Sequence, residues 1–292
     1  MGMLEEILAS GEAWREALDL ADRVGLPKGP TLFLGSGSSY FLAQVAAHLA
    51  RQRGKDALAL PSGEAMLFPE GLRGWEQVVG ISRSGETTEL LQAVRALGLP
   101  AWLLTTRDSG PGHHLFAQVV VLSRAEEEAI VQTRSFSSAL VYVLRALTGE
   151  EGLRGLPGRL AGVLEAPGDF PRGEAYFFLG VGAAWGVAQE AALKLKETAL
   201  VWAEAFQSLE FRHGPKSLVS EGTVVFLLKS HPMEEPLLEE LSGLGARVVV
   251  LPGGVLDLPL SLVRIQLFAH RLARERGLDP DRPRHLTYAV RL

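Results

Sequence analysis

The sequence predicts an α/β protein made of two similar units, each a parallel sheet flanked by helices, and three observations carry that expectation. The chain repeats itself: TLFLGSGSSYFLAQVAAHLA at 31–50 returns as YFFLGVGAAWGVAQEAALKL at 176–195, with FLGxGxxxxxAQxAA shared at an offset of 145 residues. A second pair, VVGISRSGETTELLQAVRALGLPAWLLTT from residue 78 and VVFLLKSHPMEEPLLEELSGLGARVVVLP from residue 224, agrees in pattern more than in identity. In each half an apolar run of strand length leads into a Gly- or Ser-bearing turn, then a helical stretch, then another apolar run. That alternation builds parallel sheets with helices on both faces.

At 292 residues the chain is long enough for two units with separate cores. The opening LEEILASGEAWREALDLADRV reads as an amphipathic helix interrupted at its glycine, packed across a unit boundary or a partner subunit, and residues 1–24 form this segment. Residues 25–150 form the first unit. The glycine- and proline-rich stretch 151–173, around a short amphipathic piece, reads as the connection, and 174–292 form the second unit.

Composition narrows the function classes. Hydrophobic content of 47% with 22% charged residues describes a soluble globular protein, and a net charge of -5 argues against a general nucleic-acid binder. No run approaches a membrane span, and MGMLEEILAS carries acidic residues where a secretory signal has positive charge, so a cytoplasmic location is expected. The absence of cysteine removes disulfides, thiol nucleophiles and thiolate metal sites. The seven histidines show no HExxH pattern, and Gly112-His113-His114 reads as a polar loop, so no metal is expected. GSGSSY lacks the third glycine of a dinucleotide fingerprint and no GK[ST] follows a glycine loop, so no cofactor is expected either.

Ligands of parallel sheets sit beyond the carboxyl ends of strands, beside helix N-termini. Ser36, Ser38 and Ser39 fall in one such turn, and Ser82, Ser84 and Thr87 in another. Hydroxyls and amides suit the oxygens of a phosphomonoester, with Arg83 adding a charge-assisted bond if it turns inward. The competing account is helix capping by Ser84, Thr87 and Thr88. In the second half Ala183 and Ala184 replace Ser38 and Ser39, and LLKSHPMEE replaces the SRSGETT turn, so the first half is expected to hold the phosphate.

Residues 188–218 begin as a strong helix, on which Glu190, Lys194, Glu197 and Glu204 are spaced by four, three and seven along one face. On periodicity alone that face reads as a solvated stripe with a favourable i, i+4 pair. His213, beside Gly214 and Pro215, and Glu197 are the proton-transfer candidates.

The blocks LGSGSSY, ISRSGETTELL, EEEAIVQTRSFSSAL, EAALKLKET, AEAFQSLEFRHGPKSL and GLDPDRPRHLTYAV run through nearly all of the chain from about residue 30. In them the sequence resembles the sugar isomerase (SIS) domain family. It is similar in particular to the isomerase half of glutamine:fructose-6-phosphate aminotransferase and to stand-alone glucosamine-6-phosphate deaminase-like relatives. The resemblance implies two tandem SIS domains, each a five-stranded parallel sheet flanked by helices, in a homodimer with shared active sites. It implies that Ser38, Ser39, Ser82, Arg83, Ser84 and Thr87 hold a sugar phosphate and that Lys194 supports the site. Glu197 would move a proton between C1 and C2, and His213, from the neighbouring subunit in relatives, would assist ring opening.

Two departures qualify this. The chain carries neither a glutaminase domain nor a cysteine, and where relatives of the aminotransferase type read PR-x-L-x-K, with an imine-forming lysine, PRHLTY places Tyr288. The implied activity is an isomerising deaminase acting on an amino-sugar phosphate. Plain aldose–ketose isomerisation of the glucose-6-phosphate isomerase type and a non-catalytic phosphosugar sensor remain alternatives.

Overall fold

The structure, a computed structural model, describes residues 1–289; residues 290–292 of the expected second unit lie outside the described residues. Helices α1 (Met3–Leu8) and α2 (Ser10–Val24) come first. One sheet follows, of β1 (Thr31–Gly35), β2 (Ala57–Pro61), β3 (Gln77–Ile81), β4 (Ala101–Thr105) and β5 (Gln118–Val121). Its helices are α3 (Ser38–Gln52), α4 (Ser62–Leu67), α5 (Thr88–Leu97) and α6 (Arg134–Thr148). After α7 (Leu156–Glu165), a second sheet holds β6 (Ala175–Gly180), β7 (Trp202–Gln207), β8 (Thr223–Lys229) and β9 (Arg247–Pro252). Its helices are α8 (Ala183–Ala199), α9 (Pro236–Gly243) and α10 (Leu258–Glu275).

Both sheets are parallel throughout, in the orders β2-β1-β3-β4-β5 and β7-β6-β8-β9. The strands read as continuous apolar runs because both of their faces are covered. Alternate residues go to opposite cores: Phe33, Val79, Phe178 and Phe226 join the cluster between the sheets, whereas Leu32, Leu34 and Val78 face α5 and Phe177, Val225 and Leu227 face α9. The central cluster is continuous from one sheet to the other through α3, α8, α6 and α10.

The repeated segments coincide in backbone. Gly37 and Gly182 have φ/ψ of 55/−127° and 60/−127°, a region open only to glycine. The repeats also touch: α3 packs on α8, and Gln189, 145 residues after Gln44, donates its amide to the Gln44 side-chain oxygen.

Three expectations need correction. The second sheet has four strands among the described residues, not five, because only residues 253–257 separate β9 from α10, whereas in the first half residues 106–133 separate β4 from α6 and carry β5. The N-terminal break falls at Ala9 rather than Gly11, and α1 and α2 pack on α10 and α6 of the same chain. The short amphipathic piece within 151–173 is α7, which buries Leu156, Leu160 and Val163 and packs on α2 and α10. Helix α8 stops at Leu200, whose φ of 51° is left-handed, so Glu204 lies on β7 instead of on the helical face.

Candidate functional site

In the first sheet the strand order reverses direction between β1 and β3, and a crevice opens there beyond their carboxyl ends. A cavity of about 280 Å³ occupies it. It is lined by Ser36, Gly37, Ser38 and Ser39 after β1, by Ser82, Arg83, Ser84 and Thr87 after β3, by Glu89 of α5, by Ile130 and Gln132, by Leu193 and Glu197 of α8, and by residues 286–289. The structure therefore brings together every hydroxyl singled out in the sequence, Arg83, Glu197 and Tyr288.

The second sheet has the same switch point between β6 and β8, but different groups stand at its turns. A Cβ on Gly37 would meet nothing within 4 Å, while one on Gly182 would lie 2.6 Å from His48 Nε2. The turn after β8 receives Glu234, fully buried, whose carboxylate accepts the N–H groups of Ser230 and His231, both at 2.8 Å, and the Ser208 hydroxyl. In the second half an imidazole and an internal carboxylate thus stand at the two turns, beside a cavity of about 360 Å³ lined by His48, Gly182, Trp185 and Gln207 instead of serine hydroxyls.

Around β3 the hydroxyls brace their own turn rather than cap α5, whose preceding residue Thr87 makes no side-chain cap bond. Ser82 Oγ lies 3.1 Å from Thr87 Oγ1 and accepts the Gly85 N–H at 3.1 Å; Ser84 Oγ accepts the Glu86 N–H at 3.2 Å. Thr105 and Thr106 donate to the Arg83 carbonyl at 2.9 and 3.1 Å. Gly85, at φ 66°, leaves room for His113, whose Nε2 would stand 2.8 Å from a Cβ there.

Arg83 lines the cavity, yet its guanidinium is engaged. Nη1 donates to the carbonyls of Ala129 and Ile130 at 2.9 and 3.0 Å, and Nη2 donates to the Tyr288 carbonyl at 2.5 Å. The Tyr288 ring lies over the guanidinium at 3.9 Å, and Glu127 approaches it at 3.7 Å. Burial raises the pKa of the Tyr288 phenol against the opposing pull of Arg83 and Arg107.

Glu190 and Lys194 are not a solvated stripe: both side chains are 0% exposed. Lys194 Nζ stands 3.2 Å from Glu190 Oε1 and 2.6 Å from Glu197 Oε2, so the ammonium sits between two carboxylates, each about one turn of helix away from it. Desolvation pushes Glu190 up to about 7, against the lowering by Lys194, with Glu197 adding to the rise and the Ser38 hydroxyl to the lowering. Lys194 is raised, its own desolvation being outweighed by the two carboxylates. Lys194 does not line the cavity but lies beneath Glu197, which at 17% exposure is the member that reaches it.

His213 is not brought to the cavity by its own chain; it follows the turn Glu210–Arg212 and is exposed. Sequence reasoning also passed over Glu127, which accepts the N–H groups of Thr133 and Arg134 at 3.1 and 2.9 Å where α6 begins. An acidic residue before TRSFSSAL, at the start of a helix, was the available signal.

Residues 174–251 match the family model described as the SIS domain. The glutamine–fructose-6-phosphate aminotransferase (isomerizing) of Tropheryma whipplei is 33% identical over 267 residues, 73% of this chain and 43% of that protein. The enzyme of the same description from Gloeobacter violaceus is 28% identical and is matched over 99% of this chain and 58% of its own length. The chain thus spans about half the length of these curated relatives. Among solved structures, glucosamine-6-phosphate deaminase from Thermotoga maritima superposes with a TM-score of 0.84 at 29% identity, over 99% of both chains. The tagatose-6-phosphate ketose/aldose isomerase of Escherichia coli gives 0.81 at 22% identity, over 96% of this chain and 95% of that one, a likeness of fold. With its repeated glycine turns, its switch-point cavity and the buried charges of α8, the chain belongs to the SIS domain family.

Proposed function

We propose that the chain is an isomerising deaminase of an amino-sugar phosphate, converting glucosamine 6-phosphate to fructose 6-phosphate and ammonia. The observation that carries this reading is the open hydroxyl-lined crevice in the first half, facing a carboxylate that is held by a buried lysine. The phosphate sits among Ser38, Ser39, Ser82, Ser84 and Thr87, and this remote grip orients the open-chain sugar toward Glu197.

Glu197 removes the C2 proton of the open-chain aldose and returns it at C1, while an N–H proton passes to O1. The product is an imine at C2, which water hydrolyses to the ketose with release of ammonia. One carboxylate serving both carbons suffices for the transfer. Because the nitrogen belongs to the sugar, no lysine is needed to form the imine, which fits Tyr288 at that position. The likeness to the Thermotoga maritima protein, described as a glucosamine-6-phosphate deaminase, supports the same assignment.

His213, exposed on its own chain, opens the sugar ring in the site of a second copy, so the working unit is a homodimer with shared sites. Exposed Leu209 and Leu218 flank it in the sequence and give the dimer contact apolar surface.

The test is incubation with glucosamine 6-phosphate, measuring ammonia and fructose 6-phosphate together. Glu197→Ala should lower kcat by about 10²- to 10⁴-fold. Binding without turnover by the unmodified protein would overturn the enzyme assignment in favour of a sensor. Interconversion of glucose 6-phosphate and fructose 6-phosphate without ammonia release from the amino sugar would replace it with plain isomerisation.

A further inference from the structure

Arg83 sits in the middle of the hydroxyl-rich turn that would hold phosphate under the proposed function, and its position in the sequence invites a role as the cation of that cradle. Its surroundings say otherwise. Three of the hydrogen bonds from its terminal nitrogens go to backbone carbonyls, those of Ala129, Ile130 and Tyr288, and one face of its guanidinium is covered by the Tyr288 ring at 3.9 Å. Its charge is met by Glu127 at 3.7 Å, and the residue as a whole is 7% exposed. Both terminal nitrogens and one face meet protein groups, and Nε is buried without a hydrogen-bond partner, so the group would have to shift in its seat to reach a ligand. Only a planar, five-donor cation can bond two chain segments in its plane while stacking on a ring.

We infer that Arg83 is a positioning residue which clamps Tyr288 across the site by joining residues 129–130 to residue 288, and that it is not a ligand of the phosphate. The inference rests on the phosphosugar reading for the site's purpose but not for the clamp itself. Residues 286–289 form one wall of the cavity, and the Arg83–Tyr288 stack is what fixes that wall. The remaining grip on phosphate then comes from hydroxyls and backbone N–H groups.

The clamp can be tested without substrate. Arg284 is exposed and followed by His285, so trypsin can cut between them once the segment leaves its seat. Arg83→Gln and Tyr288→Ala should each speed that cut by about tenfold, the double variant by no more than either single, and Tyr288→Phe, which keeps ring and carbonyl, should leave it unchanged. In turnover with glucosamine 6-phosphate, Arg83→Gln should lower kcat while KM stays within about threefold, and should have no further effect once Tyr288 is alanine. Inorganic phosphate should compete with the sugar phosphate equally well in both proteins. An unchanged tryptic rate in Arg83→Gln would remove the clamp, and a rise of more than about tenfold in KM and in the phosphate inhibition constant would make Arg83 a phosphate ligand; either result overturns the inference. If the unmodified protein turns over no sugar phosphate, the proposed function fails while the tryptic comparison still decides the clamp.

Discussion

Replacing Glu190 by glutamine removes a carboxylate that is completely buried and whose pKa burial lifts to about 7. A carboxyl whose folded-state pKa exceeds its unfolded value binds protons better when folded. Its contribution therefore favours the folded state fully below about pH 4.5 and is lost as pH rises through about 7. Between pH 5 and pH 8 a shift of this size, from 4.5 to about 7, withdraws about 2.5 kcal/mol from the stability of the unmodified protein. Lys194 titrates far above this window because its pKa is raised from 10.5, so it adds no slope there. Glu190→Gln has no proton to lose and keeps the side-chain volume. Urea unfolding of both proteins at pH 5 and pH 8 gives the comparison: the unmodified protein should lose about 2.5 kcal/mol more than the variant over that interval. Parallel pH dependence in the two proteins would refute the assignment of a raised Glu190, and a steeper loss in the variant would reverse its sign.

Three further outcomes follow from the same geometry. Lys194→Met leaves Glu190 buried without its cation and should cost about 3–5 kcal/mol, seen as a fall of roughly 10 °C in the melting midpoint; a fall under about 2 °C would show that the triad is not held by charge. Gly37→Ala places a methyl in the open cradle and forces φ 55° with ψ −127° on a residue with a Cβ, so stability should drop by about 1–3 kcal/mol and affinity for inorganic phosphate by about tenfold or more, measured by calorimetry. Mixing inactive Glu197→Ala with inactive His213→Ala protein should restore about a quarter of the unmodified activity if each site takes its histidine from the partner, since half the dimers then carry one intact site of two. No recovery after verified subunit exchange would place His213 and Glu197 in one chain.

The positions of the strands and of the glycine turns were legible because they follow from local physics. FLGxG demands a glycine twice: Gly35 and Gly180 because a Cβ would strike the backbone at Ser39 and Ala184, and Gly37 and Gly182 because of their positive φ. Repetition of that demand after 145 residues was enough to recover the repeated fold. The missing fifth strand was not legible by the same route. It depends on the length of chain between β9 and α10, and the sequence similarity of the halves fades before that point. Glu204 was misplaced for a similar reason: Leu200 carries no helix-ending signal, yet it adopts the left-handed conformation that glycine or asparagine usually marks.

The face of α8 is the instructive failure. Spacings of four and three place Glu190, Lys194 and Glu197 together whether the face meets water or protein, so periodicity cannot separate a solvated stripe from a buried triad. What decides it is the rest of the helix. Ala183, Ala184, Val187, Ala188, Ala191, Ala192, Leu195 and Ala199 are all buried and spread round α8, so its apolar surface extends well beyond one stripe and draws neighbouring charges into the interior. Packing against α3 and α10 then covers the helix, and a charge on such an element must be met by another charge on the same element or on its neighbours. The triad is thus implied by its apolar company rather than by its own spacing. The same reasoning singles out the member to which the proposed function gives the proton transfer: of three charges fixed together, only Glu197 lies at the edge of the covered region, where the crevice of the first sheet opens. Its neighbours hold it, and on the proposed function the hydroxyl turns across the crevice hold what it acts on.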